Sequence, residues 1–160
     1  MIEDNKNFSV LIDRNKATKF VPIDLSVNNL DLVNTSLSTP EEWDSFIKTH
    51  LQSNNADVAY GGYLEVRNLY DRSSYFQSLS KNKKRNIHLG IDFWCEAGTS
   101  VCAFLDGKVH SFKNNTNFGD YGPTIIIEHK KDGETFYSLY GHLSLESILN
   151  LTIGQVRILF

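Results

Sequence analysis

Between Ile87 and Tyr140, short runs of β-forming residues recur at regular intervals, and that rhythm limits what the chain can fold into. The runs are Ile87 to Trp94, Ser100 to Phe104, Lys108 to Phe112, Thr124 to His129 and Thr135 to Tyr140. Turn residues separate them at Ala97-Gly98, Asp106-Gly107, Gly119 to Pro123 and Asp132-Gly133. Connections this short join antiparallel neighbours, so the second half of the chain is expected to be mainly β with antiparallel sheets. The polar stretch Asn114 to Pro123 reads as a longer connection of the kind that borders a site. Leu145 to Leu149 is expected to form a helical turn.

The first half is less regular. Phe8 to Asp13 and Lys19 to Leu25 are strand-like pieces broken by polar residues and Pro22, and Tyr63 to Phe76 reads as a strand or an extended strap. One signal is sharp. Thr39-Pro40-Glu41-Glu42 supplies an N-cap hydroxyl, a proline at the first helical position and a glutamate three residues after the cap. Trp43, Phe46, Ile47 and Leu51 then recur on one helical face, which predicts a helix over about 40–53. Lys81 to Arg85 reads as a solvated basic linker. With 160 residues the chain has room for one domain plus an appendage, and the change of pattern places an N-terminal α+β extension at 1–80 and the β domain at 81–160.

Charge and composition narrow the partners. Sixteen basic and 19 acidic side chains leave a net charge of −3, with no basic footprint for a nucleic acid. No apolar run is long enough to span a membrane, and Met1-Ile2-Glu3-Asp4 does not open a signal peptide, so a cytoplasmic location is expected. Cys95 and Cys102 do not make a disulfide framework and are expected to be thiols.

Among the five histidines, His50 reads as a surface residue of the helix, and His110 and His129 as structural or solvent-facing strand residues. His88-Leu89-Gly90-Ile91-Asp92 differs, because imidazole and carboxylate are both good zinc ligands. Residues four apart in a straight strand lie about 13 Å apart, so two ligands of one ion require the chain to bend between them, with Gly90 expected to take up the strained dihedrals. His142, beside Gly141 at the exit of the last strand, has the access to a cleft that a general base or oxyanion stabiliser needs.

Taken in order, the set is recognisable. His88-x-Gly90-x-Asp92, Gly98-Thr99-x-Val101-x-Ala103, Asp106-Gly107-x-Val109, Gly122 with Ile125 to His129, Leu139 to Ser144 and Ile153-Gly154-Gln155 closely resemble the lysostaphin-type zinc metallopeptidases. The resemblance covers Ile87 to Gln155. It implies an antiparallel, barrel-sandwich-like fold built on a duplicated hybrid motif, and metal-assisted hydrolysis of peptide bonds, including peptidoglycan cross-links. By the same resemblance His88 and Asp92 match two ligands of a Zn2+ ion, and His142 matches a histidine that activates the attacking water and stabilises the developing oxyanion.

One part of the family pattern is missing. The third zinc ligand and a second catalytic histidine come from a His-x-His element, and this chain contains none; after Gln155 it reads Val156-Arg157-Ile158-Leu159-Phe160. The expectation is therefore a site truncated before that element. Three accounts stand open: an inactive binding or interaction module of the same fold; a hydrolase whose third ligand is His129, His110 or a residue of a second chain or missing C-terminal segment; and a lipoyl-like carrier domain. The carrier account lacks a suitably flanked lysine in a hairpin turn.

Overall fold

The computed structural model describes residues 11–12, 19–34, 37, 39–67, 86–117 and 119–154. The expectations at 8–10, 13, 68–85 and 155–160 lie outside them. The chain divides into two compact units, one of residues 17–97 and the other of residues 1–16 with 98–160.

In unit 17–97, strand β1 (Phe20–Pro22) pairs in parallel with β2 (Val58–Gly61), and β2 pairs antiparallel with β5 (Asp92–Trp94). A separate antiparallel pair joins β3 (Glu65–Val66) to β4 (Ile87–His88). Helix α1 (Leu30–Asn34) forms where the sequence offered only Asn-rich text. Helix α2 (Pro40–Ser53) begins as its residues dictate: Thr39 Oγ1 accepts from Glu42 N at 3.2 Å, and Glu42 Oε2 accepts from Thr39 N at 2.9 Å. The apolar face of α2 then packs Trp43, Phe46, Ile47 and Leu51 against Ile23, Leu25, Ala59 and Trp94, forming the core of this unit. His50 is half-buried rather than a plain surface residue, because Nε2 donates to Pro22 O at 3.0 Å and ties α2 to β1.

The single strand expected from Ile87 to Trp94 is two strands in different sheets. β4 ends at His88 and β5 begins at Asp92, and each has its own partner.

The other unit is built on a three-stranded antiparallel sheet in the order β6 (Lys108–Asn115), β7 (Gly122–Lys131), β8 (Glu134–Tyr140). Asp132 and Gly133, with φ of 53° and 84°, make the tight turn between β7 and β8 that an Asp-Gly pair favours. The β6–β7 register shifts between Val109 and Ser111. Val109, Ile125 and Ile127 form the core with Ile148 of helix α3 (Glu146–Leu149), flanked by Ala103, Tyr140, Leu143 and Leu151.

The expected strand Ser100 to Phe104 is instead an isolated bridge, Ile12 with Val101, and Cys102 N donates to Leu11 O at 2.7 Å. Asp106-Gly107 accordingly joins no hairpin. A Cβ on Gly107 would lie 2.5 Å from Ile127 Cγ2 and 2.6 Å from Glu128 O, so the glycine lets the chain pass close over β7.

The protein is mainly β with antiparallel sheets, plus one parallel pair; among the described residues no barrel closes. No described helix is long and apolar enough to cross a membrane.

Candidate functional site

His88 and Asp92 come together through the strand register. β3–β4 pairing sets His88 opposite Glu65, and β2–β5 pairing sets Asp92 opposite Gly61. Residues 61–65 therefore pass beneath both, and the bend at Leu89-Gly90-Ile91 brings His88 Nε2 within 3.5 Å of Asp92 Oδ1. Gly90 is not in the left-handed region; its contribution is space, since a Cβ there would lie 3.3 Å from His88 Cε1 and Nε2. The left-handed residues are on the opposing segment, Gly62 at φ 98° and Leu64 at φ 56°.

A carbonyl oxygen can only accept, so the 3.0 Å contact between His88 Nδ1 and Gly62 O places the proton on Nδ1. In the neutral ring that leaves the Nε2 lone pair facing Asp92. Two zinc ligands at about 2.0–2.1 Å in tetrahedral geometry lie roughly 3.3 Å apart, close to the observed separation. The pair thus fits two corners of a zinc site, with its imidazole tautomer set by a backbone carbonyl as metal-binding histidines require.

Three residues that sequence reasoning missed surround this pair. Arg67 is buried, and its Nη2 lies 2.7 Å from Asp92 Oδ2 in a charge contact, off the line of an N–H bond. Its Nε donates to Glu65 Oε2 at 2.5 Å, and Glu65 Oε1 accepts from Leu25 N at 2.8 Å. Burial alone would lower the guanidinium pKa, but hydrogen bonding to Glu65 and the charge of Asp92 outweigh it, so Arg67 lies above its ordinary value. Gly62 is the third: a Cβ there would lie 2.5 Å from Arg67 Nη2 and 2.7 Å from His88 Nδ1. The available signals were the Gly61-Gly62 pair and the alternation of Glu65 and Arg67, which places both on one side of a strand.

His142 belongs to the other unit. It is exposed and holds φ at 57°, unusual for a residue with a side chain. Its N–H donates to Tyr121 O at 2.7 Å, Leu143 N donates to Pro123 O at 3.1 Å, and the rings of Tyr121 and His142 lie 5.9 Å apart. Gly141 makes the approach possible, since its Cβ would fall 2.9 Å from Tyr121 Cδ1. The loop before Pro123 therefore sets the backbone of His142.

The other histidines are occupied. His129 is 1% exposed; Nδ1 donates to Asp106 O at 3.1 Å, so Nε2 accepts from Ser138 Oγ at 2.7 Å. Phe104 and Phe136 lie on it, with ring centroids 4.9 and 5.1 Å away. With both nitrogens engaged, His129 has no lone pair for a metal. His110 contacts Ser111 Oγ at 3.1 Å and the ring of Tyr137. Among the described residues no three His, Cys, Asp or Glu side chains gather as a metal site.

Residues 86–155 match the model of peptidase family M23, and over that stretch the chain is similar to that family. No curated protein and no solved structure matches the chain.

Proposed function

We propose, from the match of residues 86–155 to peptidase family M23 and the His88–Asp92 geometry, that the chain contributes two ligands of a zinc site for peptide-bond hydrolysis. The observation that carries this reading is the 3.5 Å approach of His88 Nε2 to Asp92 Oδ1, with Nδ1 anchored on Gly62 O. Zinc, when bound, supplies Lewis acidity toward a peptide carbonyl and toward water. In this reading His88 offers its Nε2 lone pair and Asp92 one carboxylate oxygen to the metal, and His142, exposed and with its backbone fixed, is assigned the proton-transfer role that the family resemblance implies. A peptide substrate follows from the family, and peptidoglycan cross-links are the substrate class we put forward.

With only two donors among the described residues, a third must come from elsewhere for a three-ligand catalytic site. The same observation supports a second reading, a non-hydrolytic binding or interaction module of this fold. Zinc content and activity separate the two. One zinc per chain, released by His88→Ala, together with cleavage of a cross-linked peptide that His142→Ala abolishes, supports the hydrolase. Zinc binding without cleavage supports the module, and wild-type chain without zinc overturns the ligand pair.

A further inference from the structure

We infer that Arg67 is the positioning residue of the His88–Asp92 pair: its guanidinium, held by Glu65, fixes Asp92 so that one carboxylate oxygen faces the imidazole. The inference rests on the reading of His88 and Asp92 as a metal pair, and it concerns a residue upstream of the stretch that matches the family model.

Asp92 is the less constrained member. Its side chain is 27% exposed and stands at the first position of the three-residue strand β5, so the backbone alone leaves its two oxygens interchangeable. Arg67 removes that freedom. The guanidinium is 6% exposed and uses two different nitrogens, Nε toward Glu65 and Nη2 toward Asp92 Oδ2, and Oδ1 is then the oxygen left on the His88 side. Glu65 is fixed in turn by the backbone N–H of Leu25. Arg67 N donates to Asn86 O at 2.7 Å, extending the β3–β4 ladder that carries His88, so one strand pair holds both the imidazole and the group that sets its carboxylate partner. Gly62 leaves the space in which guanidinium, imidazole and carboxylate meet.

Charge balance favours the same role. Glu65, Arg67 and Asp92 sum to one negative charge, so a divalent cation is still attracted while the guanidinium between the two carboxylates offsets their mutual repulsion. A lysine supplies the charge but has no rigid fork with which to engage both carboxylates.

The test compares wild-type chain, Arg67→Lys and the charge-balanced double variant Glu65→Gln/Arg67→Gln. Zinc chloride titration by calorimetry and thermal unfolding of the metal-free chain are measured for each. The positioning role predicts that Arg67→Lys unfolds within a few degrees of wild type and binds zinc about ten-fold more weakly, with the double variant at least as weak. A purely structural role lowers the unfolding temperature and leaves the zinc dissociation constant of the folded chain unchanged. That result, or wild-type affinity in either variant, overturns the role of Arg67 while the metal pair stands. Wild-type chain without stoichiometric zinc, or zinc retained by His88→Ala, overturns the metal pair and the role of Arg67 with it.

Discussion

Gly62 concentrates the constraints of the candidate site in one residue. Its carbonyl orients His88, its φ of 98° turns the chain between β2 and β3, and its missing side chain is the space beside Arg67, His88 and Asp92. Gly62→Ala adds backbone strain to a clash with a guanidinium that is itself held by Glu65. The expected cost is about 2 kcal/mol of stability, read by denaturant unfolding, with at least a ten-fold loss of zinc affinity. A different outcome is expected at Ser138. Ser138→Ala leaves His129 Nε2 as a buried acceptor without its partner, at a cost of about 1–3 kcal/mol, and zinc affinity should not move because His129 has no part in the metal pair. A change in zinc binding on Ser138→Ala would restore His129 as a ligand. These two residues also mark how far the sequence was legible at this scale. A histidine, a glycine and an aspartate at fixed spacing could be read directly, whereas Gly62, Glu65 and Arg67 are joined to them only by strand pairing across more than twenty residues.

Elements whose signals are local were readable, and those whose partners are distant were not. The capping residues of α2 and the Asp132-Gly133 turn carry their geometry within four residues. Ser100 to Phe104 has the composition of a strand, yet its backbone partner is Leu11–Ile12, almost ninety residues earlier, and the pairing goes no further than a bridge. The run from Ile87 to Trp94 failed in the opposite direction: continuous β-type text cannot reveal that its two ends join different sheets. The α2 cap can be weighed by itself. Thr39→Ala removes the acceptor for Glu42 N and leaves the reciprocal glutamate contact without its partner half, at an expected cost of about 1 kcal/mol. Because α2 closes the core over β2, which pairs with the strand bearing Asp92, this loss should appear as lower stability of unit 17–97 with zinc affinity of the folded chain unchanged.

At the scale of the whole molecule, the candidate ligands and the tryptophans share one unit. The chain has two tryptophans, and Trp43 and Trp94 both pack into the core of unit 17–97, the unit that also holds His88, Asp92, Arg67 and Gly62. Tryptophan fluorescence therefore reports the unfolding of that unit, while the far-ultraviolet signal includes the β6–β7–β8 sheet of the other. A ligand that binds only the folded state stabilises it by about 2.7 kcal/mol at a free concentration of 100 times its dissociation constant. Zinc held by His88 and Asp92 should accordingly raise the fluorescence-detected unfolding midpoint by several degrees, and His88→Ala should abolish the shift. His142→Ala removes a side chain of the other unit and should leave the zinc-induced shift intact while abolishing any hydrolysis. Equal shifts in wild type and His88→Ala would mean that zinc stabilises the chain from some other place. Loss of the shift in His142→Ala would assign that histidine to metal binding, and its proposed part in proton transfer would fall.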